Sequence, residues 1–198
     1  MKKLLIASNN QHKFIELSSI LSKLPIHLVR PKDINIQIDV IESGDSYYSN
    51  ALLKAQAFHK ASGLPVLSDD SGLEVVSLDG MPGILSHRFT PIKDASDRDR
   101  CFYLLGHLAE KPQPWLAAFQ CTAMLYINSS EIYSAQGWCP GKIIPDFRGQ
   151  NGFGYDPIFL LDETNQTMAE LSPILKNKIS HRARAIQALK ALRDWSKS

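Results

Sequence analysis

The chain has 198 residues, 44% of them hydrophobic and 21% charged, which is enough to bury a core and too apolar for a disordered chain. Twenty-two Lys plus Arg stand against 20 Asp plus Glu, a net charge of +2, which excludes a general electrostatic surface for nucleic acid or membrane and leaves only local basic patches. The cysteines, Cys101, Cys121 and Cys139, lie far apart with no paired spacing for zinc or a disulfide framework, and this favours a reducing, cytoplasmic setting.

In chain order, "MKKLLIASNN" opens with an apolar run, Leu4 to Ala7, far short of a signal peptide's core or a membrane span, and reads as a first strand. "HKFIELSSILSKL" has Phe14, Leu17, Ile20, Leu21 and Leu24 at helical spacing. "YYSNALLKAQAFHKASG" is a second helix, with Asp45 or Ser46 as its N-cap and Gly63 as its stop. "LPVLSDD" reads as a buried strand and "GLEVVSL" as a second extended run, closed by the turn "DGMPG". "DRDRCFYLLGHLAE" is a helix, "WLAAFQCTAMLYI" and "EIYSAQGWC" form a hairpin across Asn128 to Ser130, and "ISHRARAIQALKALRDW" is a single closing helix. The reading is mixed α/β: one domain over residues 1–198, with a β-rich antiparallel lobe at about 115–145.

Four stretches are more polar than their apolar neighbours. "SNNQHK", Ser8 to Lys13, delivers the chain into a helix start; its free N–H groups, hydroxyl and amide donors and the Lys13 ammonium suit a triphosphate, and a solvated N-cap accounts for the same residues. "ESGDSYYSN" places Glu42 before a glycine turn, as a metal ligand or a loop acid, while Asn50 and Lys54 share one helix face. In "PVLSDDSGLEV", Asp69 and Asp70 close an apolar strand; neighbours on an extended chain point oppositely, so the two acids have different jobs. One of them, with Glu42, supplies the one or two carboxylates that Mg²⁺ takes alongside substrate phosphates. "GQNGFGYDPIF" sets three glycines around Phe153, Tyr155 and Asp156, a backbone that approaches a flat ligand beside an aromatic ring, and Lys176, His181 and Arg182 are donors at the start of the last helix.

Seven segments in register carry a resemblance: Ser8 to Glu16, Glu42 to Ala55, Leu67 to Val75, Gly80 to Arg88, Gly152 to Phe159, Met168 to Leu171 and Lys176 to Arg182. Together they resemble the motif series of the inosine/xanthosine triphosphate pyrophosphatase family, over residues 4 to about 190. The resemblance implies a mixed central sheet flanked by helices, in two lobes with the active site in the cleft between them. It implies Mg²⁺-dependent hydrolysis of ITP, dITP and XTP, noncanonical purine nucleotides, to monophosphate and pyrophosphate. It assigns Ser8, Asn9, Asn10, Gln11, His12 and Lys13 to the phosphates, Asp70 to catalysis and, with Glu42, to the metal, and Ser71 to a substrate contact. It assigns Phe153, Gly154, Tyr155 and Asp156 to the base, with Lys176, His181 and Arg182 as donors toward it, and leaves Asp69 as a turn-stabilising or supporting acid. A homodimer touching around "GMPGILSHR" is also implied. The turn departs from the family pattern in carrying Asn9, Gln11 and His12 where small residues are common, and Ser49 stands where many relatives carry an acid. Two rivals remain: a noncatalytic nucleotide- or RNA-binding module, against which the net charge and clustered carboxylates argue, and the Maf-type nucleotide pyrophosphatases, whose motifs fit this chain less well.

Overall fold

The structure is a computed structural model and describes residues 1–197. The chain divides into two compact units: one of Met1–Asp70, Cys121–Gly137 and residues 181–197, the other of Ser71–Gln120 and Trp138–Ser180.

The first unit opens as a parallel α/β arrangement. Strand β1 (Lys2–Ile6) leads through helix α1 (Gln11–Ile20) to β2 (Ile26–Val29), which pairs with it in parallel register, Lys2 with Ile26 and Leu5 with Val29. On its other edge β1 pairs in parallel with β3 (Val66–Val75), Leu5 with Val66. Both faces of β1 are covered, which is why it reads as a continuous apolar run. Leu4 and Ile6 pack with Leu17, Leu21, Leu67 and Ile186, while Leu5 and Ala7 pack with Ala51, Phe58, Val66 and Met124. Helix α2 (Tyr47–Ser62) is capped by Ser46, not Asp45, because the Ser46 hydroxyl reaches the Ser49 N–H at 3.2 Å. Gly63 ends it as expected, in the left-handed conformation with φ 68°.

The expected break after the two acids is absent: β3 runs unbroken through Asp69, Asp70, Ser71 and Gly72, so the acids sit inside a strand rather than at its carboxyl end. The chain beyond them keeps hydrogen-bonding partners. Strand β4 (Pro82–Gly83) pairs antiparallel with Leu73 and Glu74, and the Ser86 hydroxyl accepts the Leu73 N–H at 2.8 Å. After α3 (Asp97–Leu108) come the long strands β5 (Trp115–Asn128) and β6 (Glu131–Ile143), the expected hairpin. Short β7 (Phe159–Leu161) and β8 (Gln166–Thr167), not read from the sequence, continue the strand order β2-β1-β3-β5-β6-β7-β8. The second unit's core gathers Leu73, Leu104, Leu108, Trp115, Phe119 and Phe159.

The single closing helix is corrected to three: α4 (Pro173–Ile179), α5 (His181–Ala188) and α6 (Lys190–Lys197). Ser180 is extended, with ψ 158°, and at Leu189 the N–H is shared between the carbonyls of Ala185 and Ile186, so the helical ladder is interrupted twice. Lys176 therefore lies on α4 and His181 and Arg182 begin α5, rather than all three starting one helix. Among the described residues no helix is long and apolar enough to cross a membrane.

Candidate active site

The turn after β1 is built by its own side chains. Asn10 caps α1, its carbonyl oxygen accepting the N–H groups of His12 at 2.8 Å and Lys13 at 3.2 Å, and the Ser8 hydroxyl accepts the Asn10 N–H at 3.1 Å. Asn9 donates to the Ile38 carbonyl at 3.1 Å. The turn thus lies beyond the carboxyl end of a parallel strand, with Gln11 opening the helix and Lys13 on its first turn.

Lys13 leads directly to Asp69. Its ammonium sits 3.1 Å from Oδ2 of Asp69, a residue only 2% exposed, and the same oxygen accepts from Arg182 Nε at 3.1 Å and Nη2 at 3.0 Å. Arg182 Nη1 donates to Glu16 at 2.5 Å, one helical turn beyond Lys13. Four charges from α1, β3 and α5 therefore meet in the interior. Burial alone would raise the Asp69 carboxyl, but Lys13, Arg182 and Lys54 outweigh it and hold the group well below the usual carboxylate range. Burial likewise opposes the Arg182 charge, and Asp69 and Glu16 more than restore it.

Asp70, on the other side of the strand, belongs to a second group. Its carboxylate accepts from Lys54 Nζ at 3.1 Å and from Asn50 Nδ2 at 3.2 Å, both on the same face of α2, and Lys54 also donates to Glu42 at 2.6 Å. Burial pushes the Asp70 carboxyl up; Lys54 and Lys13 pull it back, Glu42 adds to the rise, and the net direction is upward. Burial also works against the Lys54 charge, but Asp70, Asp69 and Glu42 prevail and hold the ammonium firmly protonated. One cation already shared by Glu42 and Asp70 demonstrates that two hard oxygen donors converge there, the donor type that Mg²⁺ takes together with phosphate oxygens and water. Among the described residues no group of three or more His, Cys, Asp or Glu is placed to hold a metal ion.

The second unit holds Ser71 and the glycine loop. Gly152 and Gly154 adopt φ 77° and 65°, turning the backbone around Phe153. Asp156, 3% exposed, accepts the Phe153 N–H at 2.8 Å and the Lys176 ammonium at 2.5 Å, and that ammonium lies 4.8 Å from the Phe153 ring centroid. A side chain at Gly152 would run into the Asp156 carboxylate. The Tyr155 hydroxyl donates to the Ser86 carbonyl at 2.9 Å, and burial raises its pKa, so this phenol anchors the loop.

A turn at a helix start, a divided pair of buried acids and an aromatic glycine loop can now be set beside known proteins. The model described as "Ham1 family" matches residues 4–192. The chain belongs to the Ham1 family. It is 40% identical to the dITP/XTP pyrophosphatase of Geobacter sulfurreducens over 98% of each chain. The Ham1 protein of Coxiella burnetii, 36% identical, superposes with a TM-score of 0.86 and covers 100% of this chain and 99% of its own. The nucleoside-triphosphatase, or dITP/XTP pyrophosphatase, of Mycobacterium abscessus, 40% identical, gives 0.74 over 94% and 98%. These matches bear out the family read from the seven motifs and the mixed α/β sheet with flanking helices.

In this Ham1-family chain the first unit collects Ser8 to Lys13, Glu42, Asp70, His181 and Arg182, and the second collects Ser71, Phe153 to Asp156 and Lys176. Lys54, which shares a helix face with Asn50 and so can point with it into a cleft, meets Asp70 and Glu42, and Glu16, to which the sequence reading gives no role, meets Arg182. A signal for Glu16 is its place three residues from Lys13, one turn on along the same helix.

Proposed function

We propose that this Ham1-family pyrophosphatase hydrolyses noncanonical purine nucleoside triphosphates, ITP, dITP and XTP, to the monophosphate and pyrophosphate with Mg²⁺, and so cleanses the nucleotide pool. The observation that carries the reading is the partition of the adjacent acids: Asp69 is committed to buried cations, while burial and the neighbouring Glu42 disfavour the Asp70 charge more than Lys54 and Lys13 favour it. A carboxylate with a raised proton affinity is suited to orient and deprotonate a water.

In this mechanism Asp70 takes a proton from the attacking water, which adds to the α-phosphorus as the bond to the β-phosphate oxygen breaks and pyrophosphate leaves. Lys13 and the N–H groups at the start of α1 take the developing negative charge on the phosphates. Mg²⁺, held by Glu42 and Asp70, would supply neutralisation of phosphate charge and a template for the polyphosphate chain. Lys54, seated between those two carboxylates, keeps them together. Phe153 offers its ring to the purine, with Lys176 and His181 as donors toward it, while Arg182, its guanidinium buried against Asp69 and Glu16, holds the start of α5 in place. A donor facing position 6 donates to the carbonyl of hypoxanthine or xanthine; against adenine's amino group it is left unmet, at a cost of about 1–3 kcal/mol.

A cytoplasmic homodimer with contacts around Gly80 to Arg88 completes the reading. The test is pyrophosphate release from ITP, dITP, XTP, GTP, ATP and modified pyrimidine triphosphates, with and without Mg²⁺. Preference for the 6-oxo purines lacking a 2-amino group, lost with EDTA, is the expected result. A preference for modified pyrimidines, or salt-sensitive RNA binding without turnover, would overturn it.

A further inference from the structure

The start of α3 contains an acid that pairs within its own helix and also reaches beyond it. Ser96 caps this helix, its hydroxyl accepting the Asp99 N–H at 3.2 Å, and Asp99 returns a carboxylate oxygen to the Ser96 N–H at 2.9 Å and hydroxyl at 2.6 Å. That capping box is complete without Asp97. The Asp97 carboxylate instead reaches across the second unit, its Oδ2 accepting the Gly154 N–H at 2.7 Å over a sequence separation of 57 residues. Its other oxygen accepts from Arg100 Nη1 at 2.7 Å, and Arg100, 8% exposed, is itself fixed by donating from Nε to the His87 carbonyl at 2.7 Å. The acid is thus aimed by a buried arginine that is tied to the main chain.

We propose that Asp97 is a positioning residue for the purine platform, acting through the Gly154 amide to set the attitude of the Phe153 ring. The inference rests on Phe153 being that platform. The Gly154 N–H lies in the peptide plane that carries the Phe153 carbonyl, so holding it fixes ψ of Phe153. The Phe153 N–H is held at 2.8 Å by Asp156, which fixes the torsion on the other side. Gly154 is in the left-handed region, φ 65°, so the loop has other conformations open to it once the clamp is released. A charged acceptor strengthens this hydrogen bond, though with the Asp97 side chain 48% exposed water screens part of the gain. The Gly154 carbonyl has a weaker tie, accepting the Cys101 thiol at 3.5 Å, and burial pushes that thiol up to about 12, so it remains a donor at neutral pH.

The test is steady-state kinetics on ITP for Asp97→Ala, Asp97→Asn, Phe153→Ala and the Asp97→Ala/Phe153→Ala double variant. Asp97→Ala is expected to raise KM about fivefold to tenfold with kcat within about twofold. In the Phe153→Ala background the same change adds less than about twofold, because the ring through which it acts is gone. Asp97→Asn keeps an acceptor without the charge and falls between wild type and Asp97→Ala; it also carries the test should the alanine variant not fold. An unchanged KM in the Asp97 variants while Phe153→Ala raises it overturns the positioning role and leaves the platform standing. Equal KM rises in both backgrounds, or a loss confined to kcat, overturn it as well. An unchanged KM in Phe153→Ala removes the platform itself, and the role of Asp97 falls with it.

Discussion

Asp69 and Asp70 are neighbours in sequence with opposite electrostatics, and the difference follows from which side of one strand each faces. Asp69 meets Lys13 and Arg182, so its folded pKa lies below its unfolded one, about 3.9. Its stabilising contribution is fully present above that unfolded value and fades as pH falls toward the folded one. Asp69→Asn takes a carboxylate away from a guanidinium that is 1% exposed, and urea unfolding at pH 7 is expected to show a loss of about 3–5 kcal/mol. Asp70 has the opposite sign. Its raised folded pKa favours the native state at low pH, and that advantage is lost as pH rises through the folded value. Metal-free Asp70→Asn is therefore expected to melt above the wild type at pH 7, with the gap closing as pH falls through the carboxylate range. Its turnover of ITP should drop by about 10²- to 10⁴-fold, and near-normal turnover would remove Asp70 from its role. Phe153→Ala should act mainly on KM, because a stacked ring binds ground state and transition state alike.

At the scale of elements, close approach decides the details. Gly137 on β6 lies against the backbone of α5, where an added Cβ would collide with the Ala185 nitrogen and the His181 carbonyl oxygen. Backbone cannot swing aside as a flexible side chain can, so Gly137→Ala is expected to lower stability by about 1–3 kcal/mol in denaturant unfolding and to disturb the helix that presents His181 and Arg182. The β3 run has the same lesson. Ser71 and Gly72 have the composition of a turn, but the pairing of Leu73 and Glu74 with β4 outweighs that local preference and keeps the chain extended. The closing helix fails for a related reason: apolar spacing from Ile179 to Trp195 is helical throughout, and the interruptions at Ser180 and Leu189 have no Gly or Pro to announce them.

At the scale of the whole molecule, β3, β5 and β6 each carry residues of both units, so neither unit owns a complete set of strands. Unfolding is expected to be one cooperative transition, with Trp195 in the first unit and Trp115 in the second reporting the same urea midpoint in single-tryptophan variants. Separate midpoints would show the units melting independently.

By itself the sequence determined the family, the mixed α/β class, the hairpin and the first three helices, because these rest on local signals: apolar period, capping residues and motifs in register. It also determined that Asp69 and Asp70 must differ, since alternation along an extended chain requires it. Only the tertiary structure decided what each acid meets. The partners Lys13, Lys54 and Arg182 come from α1, α2 and α5, up to 113 residues away, and a charge acquires its proton affinity from the charges and burial that folding brings to it, which no spacing along the chain can specify.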